Sequence, residues 1–138
     1  MWLLPPVFVS LAMALYSAAQ ASPEFHMSTT ELISFYGVDW LVNGPEKSLG
    51  FLLADSGYDV WLGNFRGNTY SRDHLRHKPH QLDFWDFSMD ELVKYDLEAM
   101  IDHVLNVTNR NSLHYVGHSL GTLSMFSRLS SDIAFSSK

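Results

Sequence analysis

The sequence predicts an α/β domain, a parallel sheet with flanking helices, set behind a short N-terminal leader. Three observations predict it. A helical stretch ends at Gly57 and runs directly into the short aromatic and β-branched run Tyr58 to Leu62, and a helix, a glycine and a buried strand in that order is α/β layering. A second such run, Leu113 to Val116, leads straight into Gly117, His118, Ser119, Leu120 and Gly121, after which Leu123, Phe126 and Leu129 recur at helical spacing. The first 21 residues carry no charged side chain at all.

Composition narrows the classes. The chain has 138 residues, 46% apolar and 17% charged, which suits one globular domain and is too apolar for a disordered chain. The net charge of −6, with no basic tract, argues against a partner that offers a phosphate backbone, so nucleic acid is not expected. There is no cysteine. Disulfide frameworks, thiolate nucleophiles and cysteine-ligated zinc are therefore excluded, and any covalent chemistry must use oxygen or nitrogen.

Taken in order, Trp2 to Tyr16 is an apolar run followed by small residues, with Ala19 and Ala21 at the spacing a signal peptidase accepts. This predicts a signal peptide over residues 1–21, a domain over residues 22–138, and a secreted or lumenal destination. The run falls short of the ~20 residues of a membrane span and carries Pro5 and Pro6, so no transmembrane segment is expected. Ser28 with Glu31 has the spacing of a capping box and predicts a short helix from about Thr29 to Tyr36. Asn43, Gly44 and Pro45 mark a loop. A helix over Ser48 to Ser56 then stops at Gly57, suited to a left-handed C-terminal position.

Gly63 to Pro79 reads as a polar loop too long for a plain connector. A second capping box, Ser88 with Glu91, opens a helix from Met89 to Asn106, with Val93, Leu97, Met100, Ile101 and Val104 on one face. Asn109 to Asn111 ends it. Asn106, Val107 and Thr108 form a glycosylation acceptor, relevant only because the leader directs the chain to where glycans are added.

Gly117 to Gly121 spells G-x-S-x-G between a strand and a helix. In a nucleophile elbow the serine occupies a sharp, strained turn, and the positions two before and two after must lack side chains that would collide with the flanking elements. Ser119 is thus the candidate nucleophile. The backbone N–H of Leu120 is the candidate oxyanion donor. The bland alternative is a glycine-flanked turn with an idle serine. A serine also needs a base, and the base an acid. No histidine follows Ser119, and Asp132 is the one acid beyond it. His118 projects to the other side of the turn, and His114 reads as a polar strand-start residue. His74, His77 and His80 invite a metal reading that Pro79 and the loop composition oppose, so no metal or cofactor is expected. Asp83, Trp85, Asp86 and Phe87 read as an acidic, aromatic loop packing onto the domain rather than a catalytic carboxylate pair.

These residues carry a resemblance. The stretch from Gly57 to Thr69, G-Y-D-V-W-L-G-N-x-R-G-N-T, together with Phe84 to Phe126 around the elbow, resembles the acid lipase family of α/β-hydrolases, the group of gastric and lysosomal acid lipases. Met27 to Gly37 looks like that family's N-terminal helix segment, and Phe65 and Tyr70 depart mildly from its serine and tryptophan. The resemblance implies an incomplete α/β-hydrolase fold. Between Gly37 and Val38 the family's first strands, and the turn after the third that donates the other oxyanion N–H, are expected to be missing. Beyond Asp132 the acid and histidine of the triad are absent from this sequence. The implied parent activity is serine hydrolysis of neutral-lipid esters (triacylglycerol or sterol esters) at a lipid interface, in the secreted or lysosomal lumen. The alternative is a non-catalytic secreted isoform or fragment that at most binds lipid or protein.

Overall fold

The computed structural model describes residues 9–10 and 28–135. The signal peptide expected over residues 1–21 lies, apart from Val9 and Ser10, outside the described residues. Among the described residues four strands form one sheet: β1 (Val9–Ser10), β2 (Thr29–Ser34), β3 (Asp59–Asn64) and β4 (His114–Gly117), in the order β1-β3-β2-β4. β2 is central and parallel to both β3 (Thr29 opposite Asp59 through Ser34 opposite Asn64) and β4 (Thr30 opposite His114 through Ile33 opposite Gly117). β1 adds an antiparallel pair at Leu62 and Trp61.

The helix predicted over Thr29 to Tyr36 is therefore a strand. Thr29, Thr30 and Ile33 are β-branched and fit a pleated surface, and all six residues of β2 are buried, as a parallel strand covered on both faces requires. The Ser28 and Glu31 capping box does not form, because Glu31 is drawn into the sheet between Trp61 and Tyr115. The same spacing succeeds at Ser88, whose N–H donates to Glu91 Oε2 at 2.7 Å while its Oγ accepts from Asp90 N at 3.2 Å. There the following residues supply an apolar helical face. Local capping chemistry is shared by the two sites; what the neighbouring side chains can bury decides between them.

The helices keep close to their expected bounds. α1 (Leu49–Asp55) ends at Gly57, whose φ of 85° is the left-handed conformation the sequence calls for. α2 (Met89–Glu91) passes through a π-helical segment, Leu92–Leu97, into α3 (Glu98–Thr108), which stops at left-handed Asn109. The π segment has a readable cause. Leu92, Asp96, Met100 and Val104 all face inward in steps of four, a repeat that drifts around a helix of 3.6 residues per turn unless a wider turn absorbs it. α4 (Leu120–Ser131) follows the elbow.

Two apolar layers sandwich the sheet. Leu32, Val60 and Leu62 pack with Trp40, Leu41 and Leu53 on the α1 side; Ile33, Phe65, Leu92 and Met100 pack with Tyr115 and Leu120 on the other. The residues after β3 form a clamp rather than an open loop. Arg66 donates through Nε and its backbone N–H to the two oxygens of Asp96, at 2.7 and 2.9 Å. Asn64 Oδ1 accepts from Gly37 N and from Asn68 Nδ2, each at 3.0 Å. Asn68 also donates to the Phe35 carbonyl at 2.7 Å, binding the turn after β2 to the loop after β3. No described helix is long and apolar enough to cross a membrane.

Candidate active site

The parallel strands all end at one edge of the sheet, where ligands of α/β folds bind. Ser119 sits at that edge, between the end of β4 and the start of α4, with φ 52° and ψ −111°. A positive φ on a serine is uncommon and strained, and such strain gathers at functional turns. Ser119 is exposed. The turn is fastened on both sides, by His118 N–H to the Ile33 carbonyl and Gly121 N–H to the His118 carbonyl, each at 2.9 Å.

Both flanking glycines are required by space. A Cβ at Gly117 would lie 2.8 Å from Thr122 N and 2.9 Å from the Gly121 carbonyl carbon. One at Gly121 would overlap the Ile33 carbonyl outright. The sheet and α4 therefore approach closest at these two glycines. Tyr115 and Thr122 brace the same corner, donating to the carbonyls of Gly121 and Gly117 at 2.7 Å. Leu120 is the first residue of α4, so its N–H has no carbonyl one turn back within the helix.

The turn after β2 lies beside this elbow. Phe35, Tyr36 and Gly37 follow β2 directly, and β2 is the neighbour of β4. Gly37 N–H is committed to Asn64 Oδ1. The β-branched run Thr29, Thr30 and Ile33 is the sequence signal that marks this strand and turn.

The remaining candidates do not converge on Ser119. His114 stands at the opposite end of β4, and the His118 ring lies edge-on to Trp40 with centroids 6.1 Å apart. Asp132 ends α4, bridged to Arg128 at 3.0 Å and accepting from Phe135 N at 3.1 Å. His74 Nδ1 accepts from the N–H groups of Arg76 and His77, which makes it a turn residue. Among the described residues no group of three His, Cys, Asp or Glu side chains could hold a metal. Of the loop expected to pack onto the domain, Asp83, Trp85 and Asp86 are exposed and Phe87 is half-buried under Arg66; Phe84 is the residue that turns inward, and Trp85 Nε1 donates to the Pro79 carbonyl. Asn106 is exposed on α3.

The family model described as the alpha/beta hydrolase fold matches residues 39–129. The chain belongs to the α/β-hydrolase fold family. Within it, the chain is similar to gastric-type acid lipases: it is 62% identical over 94 residues to lipase lipl-5 of Caenorhabditis elegans, covering 68% of this chain and 23% of the relative. It is 57% identical over 84 residues to the gastric triacylglycerol lipase of Bos taurus (61% and 21%), and 56% identical over 88 residues to lipase member K of Homo sapiens (64% and 22%). The chain spans less than a quarter of the length of these relatives.

Proposed function

We propose that this chain carries the nucleophile of a serine ester hydrolase acting on neutral-lipid esters such as triacylglycerols or sterol esters. The observation that carries the reading is the strained backbone of Ser119, held between β4 and α4 by two glycines that space requires. In this reading Ser119 Oγ attacks the ester carbonyl and the Leu120 N–H stabilises the oxyanion. An acyl-enzyme forms with release of the alcohol, and water then frees the fatty acid. The names of the relatives, among them a gastric triacylglycerol lipase, support the substrate class.

The same reading sends the chain into the secretory route, with cleavage near Ala21, a glycan on Asn106, and a secreted or lysosomal destination. It also leaves the base and acid for Ser119 unassigned within the 138 residues, where no histidine follows Ser119 and Asp132 is the one acid beyond it. Triad members act as a unit, so a chain with the nucleophile but no base keeps little of the rate. Short-chain ester hydrolysis by these residues alone is accordingly expected near background.

A gain-of-function experiment tests the nucleophile. Placing residues 38–138 between the N-terminal and C-terminal remainders of the nematode relative is expected to give hydrolysis of an emulsified triacylglycerol, and Ser119→Ala in that chimera to abolish it. A folded chimera whose turnover survives Ser119→Ala would refute the assignment. A second reading, an apolar binding surface without catalysis, is favoured by the exposure of Leu123, Phe126 and Ile133. It predicts retention on lipid vesicles that Ser119→Ala leaves unchanged.

A further inference from the structure

Glu31 occupies the middle of the central strand, in register with Trp61 of β3 and Tyr115 of β4. It is 0% exposed, and neither carboxyl oxygen has a hydrogen-bond partner among the described residues. A buried carboxylate without a partner is among the costliest groups a fold can hold, whereas a neutral carboxylic acid in the same place costs far less. The titratable groups on this face of the sheet are otherwise engaged. From β4, the Tyr115 hydroxyl donates to the Gly121 carbonyl; from β3, Asp59 accepts from Trp61 Nε1; from α3, His103 lies edge-on to the Trp61 ring; from the π segment, Asp96 is held by Arg66.

Glu31 also lies on the strand that supports the elbow. Ile33, two residues on and on the same face, gives its carbonyl to the His118 N–H, and that carbonyl is the surface against which Gly121 packs. The strand carrying Glu31 is therefore the floor of the Ser119 turn. Charging the carboxyl without a cation to meet it requires water to enter between β2 and the helices above.

We propose that Glu31 is a proton-operated switch in the fold: protonated, it lets β2 hold the elbow rigidly, and ionised, it loosens the β2–β4 seam beneath Ser119. Burial lifts this carboxyl from its ordinary 4.5 to about 8. Because the folded state holds the proton more tightly than the unfolded one, the stabilisation is fully present below pH 4.5, declines as pH rises, and is gone above about 8. Within that interval each pH unit lowers the folded-to-unfolded ratio by up to about tenfold. The inference concerns stability and stands apart from the ester-hydrolase reading, since it needs no activity to observe.

The test is urea unfolding of the full chain from pH 4.5 to 8, wild type beside Glu31→Gln and Glu31→Leu, whose side chains do not titrate. Wild type is expected to lose stability steadily across the interval, and each variant that folds to lack that slope. Amide exchange at residues 117–121, corrected for intrinsic pH dependence, should rise over the same interval in wild type alone. Carbon-13 detection of the wild-type carboxyl, which needs no variant, should place its midpoint well above 4.5. A variant retaining the wild-type slope, or a Glu31 carboxyl titrating near 4.5, overturns the proposal.

Discussion

At the scale of single residues the elbow stores strain that its neighbours sustain. Ser119 adopts a φ of 52° that glycine would adopt freely, and strain of this kind costs about 1–3 kcal/mol. Ser119→Gly is expected to leave the fold intact and raise its unfolding free energy by up to ~1 kcal/mol, while removing the hydroxyl on which the proposed chemistry depends; urea denaturation at pH 5 measures it. The glycines give a contrast with an internal control. A Cβ at Gly44 meets nothing within 4 Å, so Gly44→Ala bears only the strain of its φ of 81°, roughly 1 kcal/mol. Gly121→Ala must move the Ile33 backbone, and overpacking of that kind costs about 1–3 kcal/mol or more. The Gly121 variant should be the less stable of the two in the same denaturation series. Both elbow glycines are legible in the sequence, because the requirement they satisfy is local to five residues. Glu31 is not: its surroundings come from residues 61 and 115, and the sequence spacing points to a cap instead.

At the scale of elements, β3 and the π segment are joined by Arg66 and Asp96, both buried. Burial raises the Asp96 carboxyl above its ordinary range, with the hydrogen bonds and charge of Arg66 pulling the other way. Removing one partner leaves the other uncompensated, and breaking a buried pair costs about 3–5 kcal/mol. Arg66→Met should therefore destabilise far more than Ser88→Ala, a lost helix cap worth about 1 kcal/mol, and paired thermal melts rank the two. Most helix bounds are legible because their signals, the Ser88 box and the Gly57 stop, act within one turn. The strand at Thr29–Ser34 is not. Its apolar and polar residues are all buried by partners contributed from positions 59–64 and 114–117, and no window of the sequence around it contains those partners. The clamp after β3 is hidden for a related reason: its polar residues, which read as a solvated loop, bond to one another and to the β2 turn.

At the scale of the molecule the surface is unevenly finished. α4 presents Phe126 at 67% and Ile133, just past its end, at 87% exposure, with Leu123 and Leu129 also exposed. β4 has β2 on one side and, among the described residues, no strand on the other. An apolar stripe beside an open strand edge favours association. The isolated chain is expected to self-associate at micromolar concentration, and Phe126→Lys to shift it toward monomer in sedimentation velocity; a wild-type chain monomeric at about 100 µM would contradict this.

The wide turn at Leu92–Leu97 amounts to a residue's worth of extra chain threaded into a helix. Excising one residue there would restore a regular spiral that turns through nearly the same angle, so the limb upstream would keep its aim toward Arg66. A regular turn of α3 holds no such slack, and a deletion there would rotate everything upstream by about 100°. Among homologous chains, loss of a single residue should therefore be better tolerated at Leu92–Leu97 than within α3: the wide turn is the one place where the length of this limb can change without re-aiming it.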